Sequence, residues 1–216
     1  MSFTLDPVEV RVLGALLEKE STTPEYYPLT LNALVTACNQ KSNRSPVVAY
    51  DDQIVLEAIE TLRPKKFAAV ILGSGRVHKY AQRFSETLNL GRREMSVLCT
   101  LMLRGPQTPG EIRDRCERMH NFADLEEVES CLQRLIDWEI GALVSKLARQ
   151  PGRKEARYAH LLAGAVLIDE AAEREQAMET GAPRQTWNAL EVEVARLREQ
   201  VESLQRQFSD FRKQFE

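Results

Sequence analysis

Apolar residues recur at helical spacing and then at strand spacing, and that alternation runs through the chain twice. Val12, Leu13, Leu16 and Leu17 form one helical face behind Asp6 and Pro7. Asp6 is suited to cap this helix, Pro7 to open it, and Glu9 to complete a capping box. Glu18 to Pro28 is polar and turn-rich and predicts a loop. Thr30 then caps a short helix carrying Leu31, Leu34 and Val35, and a polar stretch from Asn39 to Pro46 follows. A third helix is expected from Asp51 to Arg63, stopped by Pro64, with Ile54, Val55, Ala58, Ile59 and Leu62 on its core face. Phe67 to Leu72 and Val77 to Phe84 are β-prone runs around Gly73-Ser74-Gly75-Arg76, a hairpin signal.

The same plan recurs downstream. A helix is expected from Arg92 to Arg104, ending at Gly105-Pro106. Thr108, Pro109 and Glu111 supply a capping box for the next helix, and Asp124 caps a third that runs to Glu139. Ala142 to Leu147 and Ala156 to Leu162 predict strands around Gln150-Pro151-Gly152-Arg153-Lys154. The two passes share markers. Leu5, Glu9, Val12, Leu13, Leu16 and Leu17 return 85 positions on as Leu90, Glu94, Val97, Leu98, Leu101 and Met102. Val55, Ile59 and Leu62 return 73 positions on as Val128, Leu132 and Leu135, and Lys79-Tyr80-Ala81 returns 78 positions on as Arg157-Tyr158-Ala159. Three markers in one order point to a duplicated unit of about 80 residues. Three helices followed by a hairpin is the order of a winged helix. The expected fold is therefore mainly α with small β-hairpins, an α+β arrangement of tandem winged-helix domains at residues 1–86 and 87–163.

Past Leu162 the pattern changes. Residues 164–186 read as a helical linker, Ala- and Glu-rich until Thr180-Gly181-Ala182-Pro183 interrupts it. In residues 187–216 a heptad sets Trp187, Val194, Val201, Phe208 and Phe215 at a, and Leu190, Leu197, Leu204 and Phe211 at d. Val at a with Leu at d favours two parallel strands, and Glu193 at g faces Arg198 at e of a partner helix. A homodimer through Leu190, Val194, Leu197, Val201, Leu204 and Phe208 is the expectation; one amphipathic helix lying on its own domain is the alternative.

Composition narrows the function class. The net charge of −3 counts mildly against a dedicated nucleic-acid binder, so charge placement has to decide. The third helices are acidic: Asp51, Asp52, Glu57 and Glu60 stand against Arg63, and Asp124, Glu126, Glu127, Glu129, Asp137 and Glu139 against Arg134. Phosphates repel such faces. The hairpins are the reverse, with Lys65, Lys66, Arg76, Lys79 and Arg83 in the first and Lys146, Arg149, Arg153, Lys154 and Arg157 against Glu155 in the second. Lys41 and Arg44 add cations just ahead of the first acidic helix, in a loop whose amides and hydroxyls could hold a phosphate or a partner backbone. Exposed hairpins also carry Lys and Arg simply to block edge-to-edge aggregation.

Other chemistries are weakly signalled. Cys116 and His120 lie four apart, as two zinc ligands on a helix would, but no second pair completes a site, so no metal and no cofactor are expected. The chain carries no nucleophile-elbow, phosphate-loop or zinc-protease pattern, and it is not expected to be an enzyme. Cys38, Cys99, Cys116 and Cys131 show no disulfide framework. No signal peptide or apolar run of about 18 residues is present, so a cytoplasmic protein without a membrane partner is expected.

Leu5 to Lys19, the loop Asn39 to Pro46 with Val47 and Tyr50, Gly73 to Val77, Arg92-Arg93-Glu94 and Arg157 to Leu162 resemble the YceH-like family of bacterial proteins. The resemblance covers residues 1–162 and implies tandem winged-helix domains in a bacterial cytosolic protein; it implies no activity. The residues themselves favour a DNA-binding or regulatory protein that contacts the backbone of double-stranded DNA through Lys41, Asn43, Arg44, Arg76, Lys79, Arg153, Lys154 and Arg157. The alternative is an adaptor that grips a protein partner with its acidic third helices, as condensin-accessory winged-helix proteins grip theirs.

Overall fold

A computed structural model describes residues 3–72, 77–149 and 155–164. The hairpin turns with Arg76, Arg153 and Lys154 lie outside them, as do the helical linker and the heptad residues Leu190, Val194, Leu197, Val201, Leu204 and Phe208. Residues 1–166 form one compact unit. Its described elements, in order, are α1 (Pro7–Thr22), a 3-10 turn (Pro24–Tyr26), β1 (Leu29–Thr30), α2 (Leu31–Cys38), α3 (Asp52–Leu62), β2 (Ala68–Leu72), β3 (His78–Gln82), α4 (Phe84–Leu88), α5 (Arg92–Arg104), α6 (Pro109–Cys116), α7 (Leu125–Ile136), β4 (Val144–Lys146) and β5 (Tyr158–His160). The fold is α+β, helical with small antiparallel sheets.

The helix starts follow the capping chemistry. Asp6 Oδ1 accepts from the amides of Val8 and Glu9, and Glu9 Oε2 accepts from the Asp6 amide. Thr108 and Glu111 repeat that box at α6, while Asp51 and Asp124 cap α3 and α7. Each cap satisfies amides that the first turn leaves without a partner.

The duplication extends to strand pairing. Leu29 pairs with Tyr80 in the first repeat, and Gln107 bridges Tyr158 in the second, both shifted by 78 positions. The first repeat makes a three-stranded sheet in the order β1-β3-β2, the second the two-stranded β4-β5.

Three elements depart from the expected pattern. Helix α1 continues through Glu18 to Thr22, where a loop is expected, because Glu18 and Glu20 find tertiary partners in Arg44 and Gln82. Strand β1 is too short to show alternation. Helix α4 replaces the end of the second expected strand: Phe84 and Leu88, four apart, are both buried, and Asn89 ends the helix in the left-handed region at φ 54°. Phe84 sets its ring edge-to-face on Phe67 at 4.9 Å, and Phe3 does the same on Phe67 at 4.7 Å.

Residues 1–86 and 87–163 share a continuous apolar core. Helix α1 packs against α5 more extensively than against any other helix. Gly14 permits the approach, since a Cβ there would stand 2.9 Å from Leu103 Cδ2 and 3.3 Å from Met102 Cβ. The Gly14 carbonyl also accepts the Cys99 thiol at 3.4 Å. The Leu5 amide donates to Leu162 O at 2.8 Å, tying the start of the first repeat to the end of the second.

Gly14→Val should lower stability by about 1–3 kcal/mol through overpacking. At about 2–4 °C per kcal/mol for a chain of this size, calorimetry should find Tm down by several degrees. Adding Leu103→Ala should return part of the loss. An unchanged Tm in Gly14→Val would contradict the close approach of α1 and α5.

Candidate nucleic-acid interface

Strand β3 presents Lys79 between its ladder partners Thr30 and Ile71. Tyr80, the next residue, points the other way and is buried, as strand alternation requires. Lys79 is half-buried and has no ion-pair partner among the described residues. In the second hairpin Lys146 ends β4 with its ammonium 5.7 Å from the centre of the Tyr158 ring, and Arg149 is exposed just beyond.

The residue equivalent to Lys79 in the second repeat behaves differently. Arg157 donates to Pro106 O at 2.6 Å and pairs with Glu111 at 3.3 Å. Its charge is spent on holding β5 against the start of α6.

The loop from Asn39 to Pro46 is the main correction to the expected contact set. Arg44 is not on the surface: its side chain is 0% exposed and donates to Glu18 Oε2 at 2.6 Å, to Ala37 O at 2.8 Å and to Gln40 Oε1 at 3.0 Å. A phosphate cannot reach a guanidinium so enclosed. Asn43, in the left-handed region at φ 61°, uses its side-chain oxygen to accept from Arg104 on α5. The Ser45 amide donates to Leu103 O at 2.8 Å. Asn39 exchanges two hydrogen bonds with the Tyr50 backbone, at 2.7 and 2.8 Å. The amides that read as free recognition groups are thus occupied inside the fold; of this loop's candidates, Lys41 alone is exposed without an ion-pair partner among the described residues.

A second buried cation underlies that loop. Arg11 is 4% exposed and donates to Cys38 O at 3.2 Å and Pro46 O at 2.6 Å. Its place within the apolar run of α1 is the one signal that could have located this network. Burial pushes the Glu18 carboxyl up, but hydrogen bonds and charge from Arg44, helped by Lys19, outweigh it and hold Glu18 below its ordinary value of 4.5.

The acidic helices carry their charge outward. Gln53 and Glu57 bond along α3, and Glu60 pairs with Arg63 at 2.8 Å. On α7, Glu127 accepts from the Ala123 amide and from Arg93 at 3.0 Å, while Glu126 and Glu129 are exposed without an ion-pair partner among the described residues. The repeated glutamates Glu9 and Glu94 are buried instead, pairing with Lys65 at 2.5 Å and Arg134 at 3.2 Å.

The cysteines offer no competing chemistry. All four are buried and form no disulfide. Burial drives the Cys38 and Cys131 thiols up to about 12, which keeps them protonated. Cys116 bonds with Thr100 and the Ser96 carbonyl. No cluster of three or more potential metal ligands occurs among the described residues. Burial lowers His160 to about 4, so it is neutral at physiological pH. No described helix is long and apolar enough to cross a membrane.

A family described as a protein of unknown function, DUF480, matches residues 5–153. The chain is 54% identical over 216 residues to a UPF0502 protein of Solibacter usitatus, with both chains covered in full. It is 51% identical over 222 residues to a UPF0502 protein of Geobacter sulfurreducens, again over the whole of both chains. It is also 47% identical over 211 residues to the UPF0502 protein YceH of Salmonella newport, covering 94% of this chain and 97% of that one.

Glu18→Ala leaves Arg44 buried without its carboxylate and should cost about 3–5 kcal/mol in urea unfolding. Because the folded pKa of Glu18 is depressed, its contribution is fully present above the unfolded pKa and is lost as pH falls through the folded one. Wild-type stability should therefore drop on acidification below about pH 5, and Glu18→Ala should show a shallower drop. Parallel pH profiles would contradict the pairing.

Proposed function

The chain belongs to the DUF480 family, and from the placement of its charges we propose that it is a tandem winged-helix protein that binds double-stranded DNA through its hairpins, in a regulatory role. Residues 1–86 and 87–163 are the two winged-helix domains in this reading. The protein is bacterial and cytoplasmic, dimerises through its heptad tail, takes no cofactor and catalyses nothing. The observation that carries the proposal is the state of the hairpin cations: Lys79, Lys146 and Arg149 have no carboxylate partner among the described residues, whereas Arg44, Lys65, Arg83, Arg93 and Arg157 do. Unpaired cations on two hairpins suit contact with phosphates, which fixes position without reading sequence. Arg76, Arg153 and Lys154, which lie outside the described residues, are included in the proposed contact set by their place in the sequence. The acidic α3 and α7 keep the helices out of the major groove, so the contact is led by the wings.

Exposed Glu126 and Glu129 favour a second reading, an adaptor whose acidic third helices meet a basic protein surface. Salt titration separates the two. In fluorescence anisotropy against a mixed-sequence duplex, affinity should fall with salt at a log–log slope near −0.9 for each phosphate neutralised. Lys79→Ala with Lys146→Ala should reduce that slope by about 2 units, one for each lost contact. Absence of binding at about 50 mM salt would reject the hairpin surface and leave the adaptor reading.

A further inference from the structure

The duplication lets each polar seam be compared with its counterpart. Helices α1 and α5 correspond at an offset of 85, from Pro7 and Arg92 onward. Helices α2 and α6 have eight residues each and correspond at an offset of 78, so that Cys38 matches Cys116. In the first repeat the seam between α1 and α2 sets cations against an acid. Arg44 enters it from the loop and donates to Glu18, to the Ala37 carbonyl and to Gln40. Lys19 also pairs with Glu18, at 3.4 Å. The counterparts of Glu18, Lys19, Ala37 and Gln40 in the second repeat are Leu103, Arg104, Arg115 and Arg118. A leucine has replaced the acid, and arginines have replaced an alanine and a glutamine. The connection that fills the first seam is shorter in the second: residues 39–51 separate α2 from α3, but only residues 117–124 separate α6 from α7.

Packing brings two of these arginines to one seam. Cys116 Sγ lies 3.2 Å from Thr100 Oγ1 and donates to Ser96 O at 3.3 Å, so the end of α6 rests on the Ser96–Thr100 face of α5. Arg104 is one turn beyond Thr100 on that face, and Arg115 adjoins Cys116. Both arginines are half-buried. Arg104 donates to the side-chain oxygen of Asn43 and has no carboxylate partner among the described residues. The carboxylate near Arg115 is Glu111, at 3.9 Å, beyond hydrogen-bond reach. Glu111 is already engaged by the Thr108 amide at 2.9 Å and by Arg157 at 3.3 Å. Burial holds the Arg104 guanidinium below its ordinary value, and the positive charge of Arg115 acts in the same direction. Glu18 opposes them, but its carboxylate is bound to Arg44.

We infer that Arg104 and Arg115 bind an oxyanion of the phosphate class in the seam between α5 and α6. Two guanidinium groups drawn partly out of water beside each other, with the nearby acids committed elsewhere, lack a counterion. A tetrahedral phosphate accepts from both planar forks and cancels their repulsion. Arg118, exposed just past α6, adds a third positive charge. The first repeat reaches neutrality by inserting Arg44 against Glu18; the second, with its acid replaced by Leu103, reaches it by taking an anion. These arginines are not hairpin residues, and the site does not rest on the DNA-binding proposal. The oxyanion is a free phosphate or the phosphoryl group of a larger molecule, and the chemistry of capture is the same.

Thermal unfolding of the full chain in inorganic phosphate, against chloride at equal ionic strength, tests the site. An anion that binds only the folded chain raises Tm with its concentration. Phosphate also stabilises folded chains through exclusion from their surface, so the difference between wild type and variant is the readout. Arg115→Gln should weaken the apparent phosphate affinity by about tenfold or more, the loss of one charged hydrogen-bonding contact. In chloride the same variant should be no less stable than wild type, because a like-charge repulsion is relieved. Arg104→Gln should also lose the phosphate effect, and Lys79→Ala with Lys146→Ala should keep it. A phosphate effect that is absent from wild type, or equal in wild type and Arg115→Gln, would overturn the proposal. So would a loss of stability by Arg115→Gln in chloride, the signature of a structural pair with Glu111. Anisotropy with duplex DNA separates the sources. Competition by phosphate, with weaker duplex binding by Arg115→Gln, identifies a backbone phosphate; a phosphate effect with no change toward the duplex identifies a free phosphate or a small phosphorylated molecule.

Discussion

Two buried guanidinium groups, Arg44 and Arg11, constrain much of this structure. Arg44 has no exposed side-chain surface and Arg11 almost none; Glu18 pairs with Arg44, while Arg11 donates to the carbonyls of Cys38 and Pro46. Charges this deep are tolerated only when every donor is directed at an oxygen. The carbonyls of Ala37, Cys38 and Pro46 supply those oxygens, and to do so the chain between α2 and α3 must fold down over α1. Once folded, the loop offers Asn43 and the Ser45 amide to Arg104 and Leu103 on α5. Electrostatic satisfaction inside the first repeat thus creates a polar clasp on the second. The glycine contact at Gly14 supplies the apolar counterpart of that clasp.

This coupling changes how the repeat is understood. Duplicated modules can be joined like beads, each with its own core. Here the equivalent helices α1 and α5 face each other, and one core runs through both copies. The duplication is nonetheless exact in places, as the Leu29–Tyr80 and Gln107–Tyr158 pairings show. The copies diverge where they serve different ends: Arg157 anchors α6, while Lys79 at the equivalent place has no such task.

Local signals were legible wherever local physics decides. The caps at Asp6, Thr30, Asp51, Thr108 and Asp124 announced five helices, because a capping side chain and the amides it serves are neighbours in sequence. Residues whose role depends on distant partners are not legible in this way. Asn43 and Arg44 look like a polar recognition loop, and only the folded chain reveals that Glu18, 26 residues away, and Arg104, 61 residues away, occupy them. The end of α1, from Glu18 to Thr22, has the polar composition of a loop for the same reason. Helix α4 was hidden by its shortness, since Phe84 and Leu88 fit a strand end as well as one helical turn. For the hairpins, the sign of the charge on each element is legible in the sequence; which cations lack a carboxylate partner is a property of the fold.

Native-state hydrogen exchange tests most directly whether the two repeats are one cooperative body. The amides of Val12 to Leu16 in α1 and of Val97 to Leu101 in α5 are the ones to compare under low denaturant. If the loop clasp and the Gly14 contact join the repeats as described, both sets open with the same free energy and the same denaturant dependence. If one set exchanges freely while the other stays protected, the repeats unfold separately and the clasp is not what holds them together.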